Sequence, residues 1–185
     1  MNKTYLIIFF SFFICIITFS HPHVFIDLSL DVKSSEKNNT SLFIKWKVDE
    51  MFSFNIINDF DKDGDLILNN YEIKDLESEI SQNFEKNSYY TFITIDDMKI
   101  NLKPVFSANV SGNNIFFNFK YNIKNPFKLC KIRISDESFY HAFDFSSPSS
   151  TSINDYEILS INSDEEKGYS QGIEKIFIVK NKNMN

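Results

Sequence analysis

An α+β fold, antiparallel β-sheet carrying an inserted EF-hand-like helix-loop-helix, is predicted by three features of the sequence. Residues 23–32 and 42–48 alternate apolar and polar side chains. Two stretches with apolar residues at helical spacing then flank an acidic segment, and alternation returns from residue 89 onward.

The first twenty residues stand apart from that pattern. "MNKTYLIIFFSFFICIITFS" has one early lysine, an apolar run from about Leu6 to Phe19 and small or hydroxyl residues at Thr18 and Ser20. This reads as a signal peptide over 1–20, leaving residues 21–185 as a single exported domain with His21 at its amino terminus. The run is shorter than the ~20 residues that comfortably span a bilayer and no basic stop-transfer cluster follows, so no stable membrane insertion is expected after cleavage. Cleavage and export would place the chain outside the cytoplasm. Cys15 would leave with the leader, so Cys130 stands alone and stability must come from a hydrophobic core rather than a disulfide.

From His23 the elements follow in order. Val24, Ile26, Leu28, Leu30 and Val32 share one face of a strand, and Leu42, Ile44, Trp46 and Val48 share one face of the next, with the polar "SSEKNNT" between them as a hairpin turn. Asp49 is a plausible N-cap for a helix carrying Phe52, Ile56 and Phe60, and Ile73, Leu76, Ile80 and Phe84 mark a second helix, so that the insert covers about 49–87. Strands are then expected at 89–95, 99–102, 114–123, 131–135, 156–161 and 173–179, with a serine-rich loop over 145–155. The 21 phenylalanines and 8 tyrosines suit half-buried sheet and read first as core.

The formal net charge is −6, and loss of Lys3 with the leader makes the exported chain more acidic still. Nucleic acid and anionic lipid both call for a basic face, so neither is expected as a partner. Cations suit the balance better.

"DKDGDLILNNYE" (61–72) has the spacing of an EF-hand calcium loop. Asp61, Asp63 and Asp65 fill positions one, three and five, Ile67 offers its carbonyl at seven, Asn69 sits at nine and Glu72 can chelate at twelve. Position six is Leu66 where the sharp turn calls for glycine. A bulky residue there costs about 1–2 kcal/mol, against about 4–5.5 kcal/mol for a weak extracellular site, so calcium binding would be weakened rather than lost. The alternative is a solvated acidic turn in which Asn69 and Glu72 form a capping box for the second helix.

"HPHVFID" (21–27) holds two of the three histidines. In an extended strand His21 and His23 point the same way, about 6.6 Å apart, close enough for both imidazoles to reach one ion. The α-amine of His21 would add a third nitrogen if cleavage falls after Ser20, while Pro22 blocks chelation through a deprotonated backbone amide. Such a nitrogen-rich set favours zinc, nickel, cobalt or copper over calcium. A further ligand must come from elsewhere, since Asp27 lies about 13 Å along the strand; His141 and the Asp49/Glu50 pair are the candidates. The plainer alternative is a polar strand residue beside a frayed terminus. No nucleophile motif accompanies the three histidines, and the chain is not expected to be an enzyme; a copper-dependent oxidase built on the amino-terminal histidine is the remaining catalytic reading.

Five segments, "HPHVFID" after the leader, "WKVDEMFS" (46–53), the "DKDGD" loop, "YYTF" (89–92) and "ISDESFYHAF" (134–143), resemble in order and approximate spacing the domain of unknown function 1007 family. The resemblance implies a periplasmic component of an ABC-type or nickel/cobalt-associated transport system whose partner is an inner-membrane metal permease. It makes His21, His23, Asp49 and Glu50 the first functional positions and Asp136 a second. Leu66 departs from the family's usual glycine, and Glu137 stands where a proline is expected after Asp136. The expected function is therefore a divalent-metal-binding accessory protein of zinc, nickel or cobalt transport. The alternative is a non-catalytic interaction module that binds only calcium and docks to a membrane partner.

Overall fold

The computed structural model describes residues 24–35, 39–124, 127–138, 140–145, 150–151, 156–162 and 174–183. His21, His23 and the leader lie outside the described residues. In chain order the elements are β1 (Val24–Ser35), β2 (Asn39–Val48), α1 (Glu50–Phe60), α2 (Asn70–Lys86), a 3-10 turn (Ser88–Tyr90), β3 (Thr91–Ile95), β4 (Met98–Ile100), β5 (Val105–Ser111), β6 (Asn114–Lys124), β7 (Leu129–Ser135), β8 (His141–Asp144), β9 (Ser150–Thr151), β10 (Tyr156–Asn162) and β11 (Glu174–Asn181).

They form two sheets and two helices, an α+β fold. One sheet runs β5-β6-β2-β1-β8 with β9 also on β1; the other runs β10-β11-β7-β3-β4. The expected hairpin pairing of the first two strands holds, with Leu28 opposite Trp46 and Leu30 opposite Ile44. Alternation decides which side is buried: Val24, Ile26, Leu28, Leu30 and Val32 all face one core, and they belong to the same buried cluster as residues of the second sheet, including Ile132, Ile134 and Phe177. Rings tie the layers together, Phe145 against Phe177 at 4.8 Å and Tyr89 against Phe119 at 6.2 Å.

The architecture departs from the predicted purely antiparallel arrangement along one edge of β1. β8 lies parallel to β1, with Val24 opposite His141 and Ile26 opposite Phe143, and β9 continues on the same edge. Both strands are short and come from distant sequence, so no local pattern announces them. β5 also went unpredicted although it alternates: Phe106, Ala108 and Val110 face inward while Val105, Ser107, Asn109 and Ser111 are exposed, but only Ala108 is fully buried and the apolar signal is weak.

At residues 88–90 the expected strand begins late. α2 ends at Asn87, and Ser88, Tyr89 and Tyr90 all adopt left-handed φ near 52° before β3 starts. The reversal is fastened by Tyr90 N–H donating to Asn87 O (2.9 Å) and Thr91 Oγ1 donating to Tyr89 O (2.9 Å). It carries Tyr89 into the core and sets Tyr90 against the β8 edge.

α1 and α2, with the loop between them, lie between β2 and β3 in the chain. Ser53, fully buried on α1, donates from Oγ to Val48 O (3.2 Å) and accepts from Ile115 N–H (3.0 Å), which fixes the helix to the end of β2 and β6.

Candidate metal centre

The side chains with the most constrained chemistry sit where β1, β8 and the 3-10 turn converge. Asp136 begins the turn between β7 and β8 and is 2 % exposed. Its Oδ1 accepts from Ser138 N–H (2.9 Å) and Ser138 Oγ–H (2.6 Å), and its Oδ2 accepts from His141 N–H (3.1 Å) and His141 Nδ1 (2.6 Å). The first pair is an Asx turn, the reason an aspartate two residues before a serine shapes this corner. Burial opposes the Asp136 charge, but the hydrogen bonds from Ser138 and His141 outweigh it and hold the carboxyl below its ordinary range.

An ionised carboxylate can only accept, so Nδ1 of His141 carries the proton and Nε2 carries the lone pair. Burial, partly offset by Asp136, pushes the His141 pKa down and keeps the ring neutral. Five rings surround it: Tyr90, Tyr140, Phe143, Trp46 and Phe84, at centroid distances from 4.9 to 6.5 Å. No described residue forms a hydrogen bond with Nε2. The Trp46 indole N–H, fully buried beside this imidazole, also has no acceptor among the described residues.

A neutral imidazole with its Nδ1–H fixed on a carboxylate is the arrangement metal-binding histidines use, the carboxylate setting tautomer and ring direction. It fits a divalent ion at Nε2. It equally fits proton exchange, but the described residues supply no activated nucleophile beside it; burial pushes the Cys130 thiol up to about 12.

The other predicted ligands are distributed differently. Asp49 sits at the head of α1, where Oδ1 accepts from Phe52 N–H (2.9 Å) and Oδ2 from Phe25 N–H (3.0 Å), while its own N–H donates to Phe25 O (3.0 Å). It caps the helix and clamps the first residues of β1. Glu50 is exposed and lines a cleft between α1 and the β5–β6 turn. Asp49, Glu50 and His141 do not come together as a three-ligand group; among the described residues the one such group is Asp61, Asp63 and Asp65, with ligand atoms within 4.8 Å of one another.

In that acidic loop Asp61 accepts from Gly64 N–H (2.8 Å) and Leu66 N–H (2.7 Å), and Asp65 accepts from Ile67 N–H (2.8 Å). Those amides, Leu66 first, hold Asp61 below the usual carboxylate range; burial, with Asp65 and Glu72 nearby, raises Asp63. Glu72 is not part of the group. Its two oxygens accept from Lys62 N–H and Asn69 N–H, both at 2.8 Å, and Asn69 Oδ1 accepts from Tyr71 and Glu72 N–H, so this pair forms the capping box of α2. His21 and His23 lie outside the described residues, but Val24, the residue after His23, is the parallel partner of His141 and donates its N–H to Tyr140 O (3.2 Å).

Sequence reasoning underrated Asp136, Ser138 and the ring cage, because their assembly depends on a turn and a parallel pairing. The Asp-x-Ser spacing was the one local signal.

Two comparisons bear on identity. The model of the family described as "Protein of unknown function (DUF1007)" matches residues 6–168. A search of curated proteins finds no match to the chain. No helix among the described residues is long and apolar enough to cross a membrane.

Proposed function

The chain belongs to the DUF1007 family of proteins of unknown function, and we propose that it is an exported divalent-metal-binding protein serving a transition-metal transport system. The observation that carries this reading is the Asp136–His141 pair: one buried imidazole, neutral, with Nδ1–H held by a carboxylate and Nε2 without a hydrogen-bond partner among the described residues. Val24, the residue that follows His23 in sequence, is the parallel partner of His141, and His23 is taken as the second imidazole on the ion.

In this proposal His23 and His141 supply two nitrogens, and His21 supplies its ring and, after leader cleavage at Ser20, its amine. Imidazole and amine donors suit zinc, nickel and cobalt, and a bound ion would act as cargo presented to an inner-membrane permease or ABC-type transporter in the periplasm. The chain's own contribution is to fix the tautomer through Asp136, to keep the imidazole unprotonated by burial, and to wall one side of the ion with rings. Asp49 ties Phe25, at the start of β1, to the head of α1.

A second reading, an interaction module that binds calcium alone, is favoured by the Asp61, Asp63 and Asp65 group and by Leu66, whose φ of 62° meets the turn requirement of an EF-hand's sixth position. The Glu72 capping contacts weigh against bidentate chelation at position twelve in this conformation. Titration calorimetry separates the readings. Micromolar zinc or nickel binding that His141→Ala and His21→Ala/His23→Ala each weaken by tenfold or more, about 1.4 kcal/mol, supports the first; a response to calcium alone, indifferent to these variants, removes it.

A further inference from the structure

A second surface stands on observations independent of the metal proposal. The cleft between α1, residues 66–68 and the β5–β6 turn has a volume of about 750 Å³ and is apolar along most of its lining. Ile57 and Leu68 form buried floor, whereas Phe54 (52 % exposed), Leu66 (55 %) and Ile67 (68 %) stand up from it into solvent. Apolar side chains so concentrated and so exposed mark an interaction surface more than a fold requirement.

Leu66 sharpens the point. It holds φ 62°, a conformation that strains a leucine and would suit glycine, and the chain does use glycine two residues earlier, where Gly64 holds φ 77°. The strain is not repaid by burial, since the side chain remains more than half exposed. Strain plus exposure at one residue, on the wall of a cleft, is explained if a partner covers that leucine.

Charge selects the partner. Among the described lining residues the one charged side chain is Glu50 and none is lysine or arginine; Asp63 and Asp65 sit exposed in the adjoining loop, whose Lys62 is engaged by Asp75. We infer that this cleft docks a protein segment that places a large apolar side chain beside lysine or arginine. A second copy of the chain would set one acidic rim against another, and an anionic bilayer would meet the same repulsion.

The test is an amide-resolved NMR titration of the purified protein with a synthetic amphipathic leucine–lysine peptide, its leucine–glutamate counterpart serving as control. The expected result is saturable binding of the basic peptide with shifts centred on Phe54, Ile57, Leu66 to Leu68 and Val110. Because each wall residue would lose the burial of one large side chain, Leu66→Gly and Phe54→Ser should each weaken it by about tenfold or more. Leu66→Gly, which removes the strain, should keep the spectrum of the folded protein and its melting temperature. The inference is overturned if both peptides bind alike, if shifts fall elsewhere, if neither variant weakens binding, or if the same residues instead mediate self-association or adsorption to anionic vesicles.

Discussion

Asp136 shows how much one side chain can organise. Its two oxygens take four hydrogen bonds, two that fold the turn through Ser138 and two that hold His141 by backbone and ring. Replacing it with asparagine keeps the shape but points an amide donor at a group that already donates. Hydrogen bonds to a buried charge are worth about 1.5–3 kcal/mol, so Asp136→Asn should lose about 2 kcal/mol in urea unfolding. On the metal proposal it should also weaken zinc affinity about 10–100-fold by freeing the His141 tautomer; unfolding curves and calorimetry on the same variant check both, and unchanged affinity in a folded variant would remove Asp136 from the account. Asp49 works by the same logic with backbone partners, joining Phe25 and Phe52 across the start of α1.

Among the elements, those whose burial follows a simple period were legible from sequence. β1, β2 and β6 alternate along their length, and α2 presents Leu76 and Phe84 to the core at helical spacing. β8 was not legible: four residues long, it owes its existence to a parallel edge of β1 that its own sequence does not encode. Nor was the left-handed run at Ser88 to Tyr90, where bulky residues occupy a conformation that composition argues against, while β5 was missed although Phe106, Ala108 and Val110 alternate inward along it, because only Ala108 is fully buried. The start of α2 was readable, because asparagine followed three residues later by glutamate is a capping signature, and both reciprocal bonds are present. Asn69→Ala should therefore cost about 1 kcal/mol of stability in chemical denaturation. A loss no larger than that of an exposed substitution such as Lys74→Ala would mean the box is ornamental.

For the whole molecule, two sheets share one core around Trp46, and the candidate metal centre lies at the margin of that core, where β1 begins and β8 crosses beside it. The histidines were readable in sequence as candidate metal donors; what sequence withheld was which carboxylate orients His141, since Asp136 reaches it only once β7, the turn and β8 are folded together. The apolar cleft was equally hidden, for Phe54 and Leu66 read as ordinary helix and loop residues until their exposure is known. An account in which a parallel strand pairing brings separate histidines onto one ion is tested most directly by zinc K-edge absorption of the loaded protein. It predicts at least two imidazole nitrogens at about 2.0–2.1 Å, one of which disappears in His141→Ala; an unchanged spectrum in that variant, or a shell of oxygens alone, would contradict it.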